Sequence, residues 1–343
     1  MNAEERCGAR TLASRVGTRA DAWSTLKSSP GVHTRVNAAR KNACATSGCS
    51  KRPPAGESRY STVIGAQKEI APDDPPHSTL AKTALHLIAR YDSLRLQTYR
   101  DREHHGDRIR LAPIGSATAL RFDDVGYFNK VYSPDESAAR RLPEIEMFYQ
   151  GCSFGCELIG PIEGSGGEIG RACRDRGWAP GRRYAWLHAP MPATTELHPP
   201  TVFRIRPPEM EQRASFLLTY LRAFEAQPDR FDAALRNMRH LFHLRELEFL
   251  MAWHGNQPAG IGMLYRAGKT ALLCAGATLP EYRRRGCHTA LVAARIRLAR
   301  EQGCEEIFAS AIPDGQSQTN MHRAGLRTVG ATAAWRLDPD TRL

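Results

Sequence analysis

The sequence predicts an α/β (α+β) protein, with two consecutive mixed-sheet domains behind a disordered basic extension. Three observations carry that prediction. From residue 79 onward, short strand-like apolar runs alternate with segments of helical period. A proline-rich stretch, PMPATTELHPP at 190–200, divides this region in two. Residues 1–78 show no sustained period and are rich in Ser, Gly, Ala, Arg and Pro, too poor in apolar area to offset ordering entropy. The expected organisation is therefore 1–78 extension, 79–190 first domain, 191–200 linker and 201–339 second domain.

Bulk properties agree. Hydrophobic residues make up 41% and charged residues 24% of 343, enough for more than one core. No run approaches the ~18 apolar residues of a membrane span, so neither a membrane partner nor a membrane location is expected. The net charge of +12 is concentrated: residues 1–60 hold eight Arg and three Lys against one Asp and three Glu. The body is only mildly basic, which gives little support to a nucleic-acid partner. The Arg- and Ser-rich start also suits a transit peptide or an upstream start codon. The nine scattered cysteines read as reduced thiols of a cytoplasmic protein. Cys152 and Cys156 lack the paired spacing of a metal site, so no metal is expected.

In the first half, HSTLAKTALHLIARYDSLRLQTYR opens the ordered chain, with Leu80, Ala84, Leu87 and Tyr91 forming one helical stripe. DRIRLAPIGSATALRFD and GYFNKVYS read as strands. Glu136 to Tyr149 reads as a helix, with Ser133 or Asp135 as N-cap and a break at Pro143. GCELIGPI is a strand, GEIGRACRDRG a helix closed by glycine, and RRYAWLHAP a strand. In the second half, TVFRIRP is a strand, followed by helices EMEQRASFLLTYLRAFEA and FDAALRNMRHLF. Three strands fill ELEFLMAWHGNQPAGIGMLYRAGKTALLCAGATL. Next come a loop and long helix, the strand EEIFASAI, a short helix from Ser317 and the strand TVGATAAWRL.

The loop before the long helix holds the chemistry. After the buried-type strand ALLCAGATL comes LPEYRRRGCHT, and then a helix with Leu291, Ala294 and Leu298 on one face. A tight strand-to-helix turn aims unpaired backbone N–H groups at one point, and the helix dipole adds positive charge there. Gly286 allows close approach, and Arg283, Arg284 and Arg285 add full charges. The pattern suits a diphosphate. A solvated basic turn before an ordinary core helix has the same pattern.

The segment Arg283-Arg284-Arg285-Gly286-Cys287-His288 resembles the acetyl-CoA-binding turn of the GNAT (GCN5-related) N-acetyltransferases, Arg/Gln-x-x-Gly-x-Gly/Ala. It departs from that pattern at His288, where a small residue is usual. ASAIPDGQSQTNMHRAGL resembles the family's fifth strand and following helix, with Asp314, Ser317, Gly325 and Leu326 in the Asn, Ser, Gly and Phe positions. The β–α–α–β–β–β–α–β–α–β order over roughly 202–338 is also the family's. The resemblance implies that backbone groups of Ala277, Thr278 and Leu279 bind the pantetheine and acetyl carbonyl of acetyl-CoA in a V-shaped opening beside a splayed strand. It implies that amides from about Arg284 through Cys287 and His288 to Thr289 hold the pyrophosphate, with arginine side chains reaching the 3′-phosphate. An acceptor amine of a small molecule or peptide would attack the thioester directly, a base taking its proton and an acid protonating the thiolate.

The resemblance assigns no catalytic residue. The family's acid is often a Tyr, at the position of Met321. Ser317 reads first as an N-cap. Glu246, Glu248, His254 and Tyr265 could supply a base from neighbouring strands, though each reads first as a turn or surface residue, and proximity alone can lower a barrier. Cys287 could have a lowered pKa at the helix start. Residues 79–190 resemble a degenerate copy of the fold, as in tandem GNAT proteins, GYFNKVYS resembling their Phe-Asn-Arg-Val stretch. Lacking the turn, this half is expected to bind no cofactor and to shape the acceptor cleft. GSGGEIG at 164–170 puts Ile169 where a dinucleotide fingerprint needs glycine, and His104-His105 reads as a solvated turn. Two other readings remain: a non-catalytic CoA-binding sensor or scaffold, from Met321, and a nucleic-acid binder, from the arginines.

Overall fold

The computed structural model describes residues 79–103, 106–161, 167–194, 197–226 and 231–339. The expectations for residues 1–78, for His104-His105 and for the first part of GSGGEIG fall outside them.

The first described element is a long helix, α1 (Thr79–Glu103). Its stripe buries Ala84, Leu87 and Tyr91 as expected and adds Ala81, Leu85, Leu96 and Tyr99. These pack with Phe122, Phe128, Trp186, Leu272 and Phe308 in one cluster. Each fully buried Leu contributes roughly 1.5–3 kcal/mol.

The strands are β1 (Ile109–Ile114), β2 (Ala117–Phe122), β3 (Lys130–Tyr132), β4 (Cys156–Pro161), β5 (Ala179–Pro190), β6 (Phe203–Arg206), β7 (Leu247–His254), β8 (Gln257–Ala267), β9 (Thr270–Thr278), β10 (Glu306–Ala311) and β11 (Arg327–Leu337). Between them run helices α2 (Leu142–Tyr149), α3 (Gly167–Asp175), α4 (Arg213–Ala223), α5 (Phe231–Arg239), α6 (Cys287–Glu301) and α7 (Gln316–Arg323). Among the described residues, these eleven strands form one mixed sheet in the order β1-β2-β3-β4-β11-β5-β10-β9-β8-β7-β6. The β3–β4 and β9–β10 pairs are parallel, and the other pairs antiparallel.

The sheet runs across the proline-rich stretch. Strand β11, from the end of the chain, lies between β4 and β5, with Trp335 opposite Leu158 and Ala331 opposite Ala185. On its other edge β5 pairs with β10, Leu187 opposite Ala309. Alternate residues of the central strands enter different cores. Leu272 and Cys274 of β9 and Phe308 of β10 join the cluster under α1, α4 and α5. Ala271, Leu273, Ile307 and Ala309 join the one under α6 and α7. Burial on both faces explains why these strands read as continuous apolar runs.

Two local expectations need correction. The span from Glu136 to Tyr149 is a 3-10 turn, Glu136–Arg141, followed by α2. Asp135 caps that turn by accepting from the Ser137 amide, and Pro143 sits in the first turn of α2, where its missing N–H costs nothing. Helix α7 begins at Gln316 with Gly315 as N-cap, so Ser317 lies inside the first turn and caps nothing.

Candidate functional site

The site grows from a mismatch between β9 and its neighbours. Strand β10 pairs with β9 only from Glu306 opposite Thr270 to Ala309 opposite Leu273. Beyond that point β10 continues along β5 to Ala311, while β9 continues along β8 to Thr278. One edge of residues 274–278 is thus left without a strand partner, and the two strands open into a V. A register shift between Ile261 and Met263 of β8 and a left-handed Ala275 (φ 46°) bend β9 at the root of the opening. Ala277 and Thr278 lie on this open stretch. The Leu279 amide donates to the Ala259 carbonyl at 2.9 Å, so its backbone N–H is already used.

The turn follows directly. Tyr282 donates to Leu279 O and Arg283 to Pro280 O, closing a 3-10 turn. The chain then passes through two left-handed residues, Arg284 (φ 60°) and Gly286 (φ 85°). A Cβ on Gly286 would lie 2.7 Å from the Pro200 ring, so glycine is required by both conformation and space. The first bond of α6 runs from the Ala290 amide to the Gly286 carbonyl, and no side chain caps the helix. Among the described residues, none of the six amides from Arg284 to Thr289 has a protein acceptor. Six consecutive donors without a partner among the described residues, at the positive end of a fifteen-residue helix, are an arrangement that suits an anion.

The three arginines differ in role. Arg283 is bound to the protein: its guanidinium donates to the carbonyls of Thr278 (3.3 Å) and Ala223 (3.4 Å) and pairs with Glu225 at 2.8 Å. It braces the turn and is not placed to reach a phosphate. Arg284 is exposed and has no protein partner among the described residues. Arg285 is exposed, 3.2 Å from the His254 ring nitrogen and stacked over Tyr282.

Asn320 of α7 donates to His288 Nδ1 at 3.0 Å. Burial, helped by the charge of Arg295, lowers the His288 pKa to about 4, so the ring is neutral near pH 7. Its side chain ties α6 to α7. Burial pushes the Cys287 thiol up to about 11 despite the neighbouring Thr278 hydroxyl. The lowered pKa that the helix start could have given this thiol is not found: desolvation outweighs the dipole.

The candidate bases do not gather at the V. Tyr265 pairs with Leu272, and the Arg266 amide bonds the Glu246 carbonyl. Glu248 accepts from Gln302 past the end of α6. All three lie toward the far end of β9, about 20 Å from Thr278 at ~3.3 Å per residue. Glu246 and Tyr265 help line a separate open cleft of about 610 Å³ against α1. His254 stacks between Phe203 and Tyr282 as a wall of the turn. Met321 is 4% exposed within the α6–α7 core and offers no proton.

Two groups were missed by the sequence reading. One is Arg295, fully buried beneath the bulges of β8 and β9. Its signal was a charge inside the apolar stripe of α6. The other is a polar cluster on the α1 side of the V. Tyr91 lies beside Cys274 there, and Asp92 accepts from the Tyr132 hydroxyl (2.6 Å) and from Arg95 (3.1 Å). Burial alone would raise the Asp92 carboxyl, but Lys130, Arg95 and Tyr132 outweigh it and hold it below the usual range. Only tertiary packing brings these residues together.

The second half matches the sequence model described as "Acetyltransferase (GNAT) family" over residues 213–326, a span that contains the open edge of β9, the arginine turn and α6. Residues 213–326 are a GNAT acetyltransferase domain. No curated protein gives a significant match. Among solved structures, a functionally unknown conserved protein from Staphylococcus epidermidis has a TM-score of 0.53 at 14% identity, covering 66% of this chain and 92% of that one. A GCN5-related N-acetyltransferase from Kribbella flavida has a TM-score of 0.49 at 14% identity, covering 73% and 95%. A tandem GNAT protein from the clavulanic acid biosynthesis pathway has 0.44 at 11%, covering 68% and 79%. At such identities the likeness is one of fold. Within the GNAT domain of this chain, the turn and the V are continuous. No cluster of metal-binding side chains occurs among the described residues, and no described helix is long and apolar enough to cross a membrane.

Proposed function

We propose that the protein is an acyl-CoA-dependent N-acyltransferase that moves an acetyl group from acetyl-CoA to an amine of a small molecule or peptide by direct attack. The observation that carries this reading is the run of six unpartnered amides, Arg284 to Thr289, adjoining an open strand edge. The cosubstrate supplies an activated thioester. The amides of Arg284 to Thr289 hold its diphosphate, and Arg284 and Arg285 take the 3′-phosphate. The Thr278 backbone, on the unpaired edge, holds the pantetheine arm and the carbonyl, while the Ala277 carbonyl is turned toward Gly260 of β8. Fixing carbonyl and amine together provides most of the rate.

The first half shapes the acceptor cleft and carries no second CoA site. At the corresponding segment, between the parallel strands β3 and β4, the Asp135 carboxylate accepts from the Ser137 amide at 2.9 Å. The protein's own anion occupies the start of that segment, whereas α6 has none. The cluster of Tyr91, Asp92, Lys130 and Tyr132 adjoins Cys274 and gives the acceptor a mixed aromatic and charged wall. The six described cysteines are all unpaired, which fits a cytoplasmic enzyme. Neither nucleic acid nor a membrane is needed as a partner.

One observation favours a second reading. Met321 stands where a proton donor would act, which suits a CoA-binding sensor that does not turn over. Release of free thiol from acetyl-CoA across a panel of primary amines decides between them. Amine-dependent thiol release supports the transferase. Tight binding without release on any amine supports the sensor.

A further inference from the structure

The sheet-facing side of α6 holds a positive charge for which the described residues provide no counter-ion. Arg295 is 1% exposed. Its Nε donates to the Leu291 carbonyl at 3.1 Å, and its Nη1 to the carbonyls of Met263 (3.3 Å) and Cys274 (3.2 Å). Those carbonyls flank the bulges of β8 and β9, where the register shift disturbs the ladder. Its Nη2 has no acceptor. Two glycines make room for the group: a Cβ on Gly276 would lie 2.7 Å from Nη2, and one on Gly262 2.9 Å from Nε. Nη2 therefore lies against the part of β9 that β10 leaves unpaired. A buried, uncompensated cation is costly, and an apolar side chain would fill the space more cheaply. On the same side of the sheet, α7 offers only the apolar Met321 at the position that resembles an acid.

We propose that Arg295 is a further catalytic residue, whose Nη2 supplies the positive charge that stabilises the departing coenzyme A thiolate. The inference rests on the acyl-transfer reading above. The acceptor nitrogen bonds to the carbonyl carbon, the carbon–sulfur bond breaks and its electron pair stays on sulfur. The amine proton passes to solvent. The guanidinium gives up no proton, since arginine stays charged in proteins. It offsets charge that appears only as the bond breaks, in a site shielded from water. The other titratable groups facing this side chain do not compete: His288 is neutral near pH 7, and burial pushes the Cys274 thiol up to about 11.

The test uses the full chain and free coenzyme A, so it needs no acceptor. Bound-thiol ionisation is followed by ultraviolet thiolate absorbance and by calorimetric proton release, on both sides of a free thiol's pKa of about 8.5. The wild-type protein should hold the bound thiol at least about tenfold more ionised at neutral pH than free coenzyme A, equivalent to about one pH unit. Arg295→Met and Arg295→Gln should lose this while still binding the ligand, and Arg295→Lys should keep part of it. Ordinary ionisation of the thiol on the wild-type protein overturns the assignment, and does so even if no variant folds. Unchanged ionisation in a folded Arg295→Met variant also overturns it. If wild-type protein binds no coenzyme A, the acyl-transfer reading itself fails. If it binds with an unperturbed thiol, only the role of Arg295 fails.

Discussion

Adjacent residues of one composition can do different work. Arg283, Arg284 and Arg285 are indistinguishable in the sequence, yet the first is held by Thr278, Ala223 and Glu225 while the second has no partner among the described residues. Alanine at 284 and 285 together should abolish any preference for coenzyme A over its 3′-dephospho form in a binding titration. Alanine at 283 should instead lower the melting temperature and leave that preference intact. His288 sets a pH dependence. The unfolded ring takes its proton near 6.5, while the folded one resists protonation to about 4. Acid therefore draws the chain toward the unfolded state, and stability falls as pH drops from 6.5 toward 4, by up to about 3 kcal/mol. His288→Gln, which keeps an acceptor for Asn320, should flatten that part of the profile in denaturant melts. The basic turn and its glycine were legible in the sequence because local chain geometry fixes them. The bracing of Arg283 was not, because its partners lie about 60 residues away.

Among the elements, the comparison of α3 with α6 is the most informative. Both are amphipathic helices that follow strands, and both present free amides at their first turn. In α3 the Glu136 carboxylate fills that place; in α6 no side chain does. Glu136→Ala should therefore cost about 1 kcal/mol of stability, as loss of a helix cap does, and leave coenzyme A binding unchanged. Helix periods and apolar strand runs were readable from residue order, since burial imposes spacings of 3.6 and 2. The displaced base candidates show the limit of such reading. Periodicity reports which side of a strand a residue takes but not how far along the strand the chemistry lies. Glu248 and Tyr265 lie on the expected strands, at the ends away from Thr278.

For the molecule as a whole, the placement of β11 governs behaviour. The last strand of the chain separates β4 from β5, so neither half completes its sheet alone. Residues 79–194 expressed by themselves should show a non-cooperative melt and aggregate through the exposed edges of β4 and β5. Co-expression with residues 197–343 should restore a cooperative transition. A cooperative melt of the isolated first half would contradict this. Strand order is set by long-range pairing that residue order does not encode locally. The most direct measurement bears on the turn itself: calorimetric titration of the full chain with coenzyme A, beside Gly286→Asp. That aspartate would add a Cβ 2.7 Å from Pro200 and a negative charge where the diphosphate binds. One-to-one binding by the wild type, weakened at least about 100-fold in a variant of unchanged circular dichroism, or about 2.7 kcal/mol, is the expected result. No heat from the wild type, or equal affinity in the variant, would contradict the account.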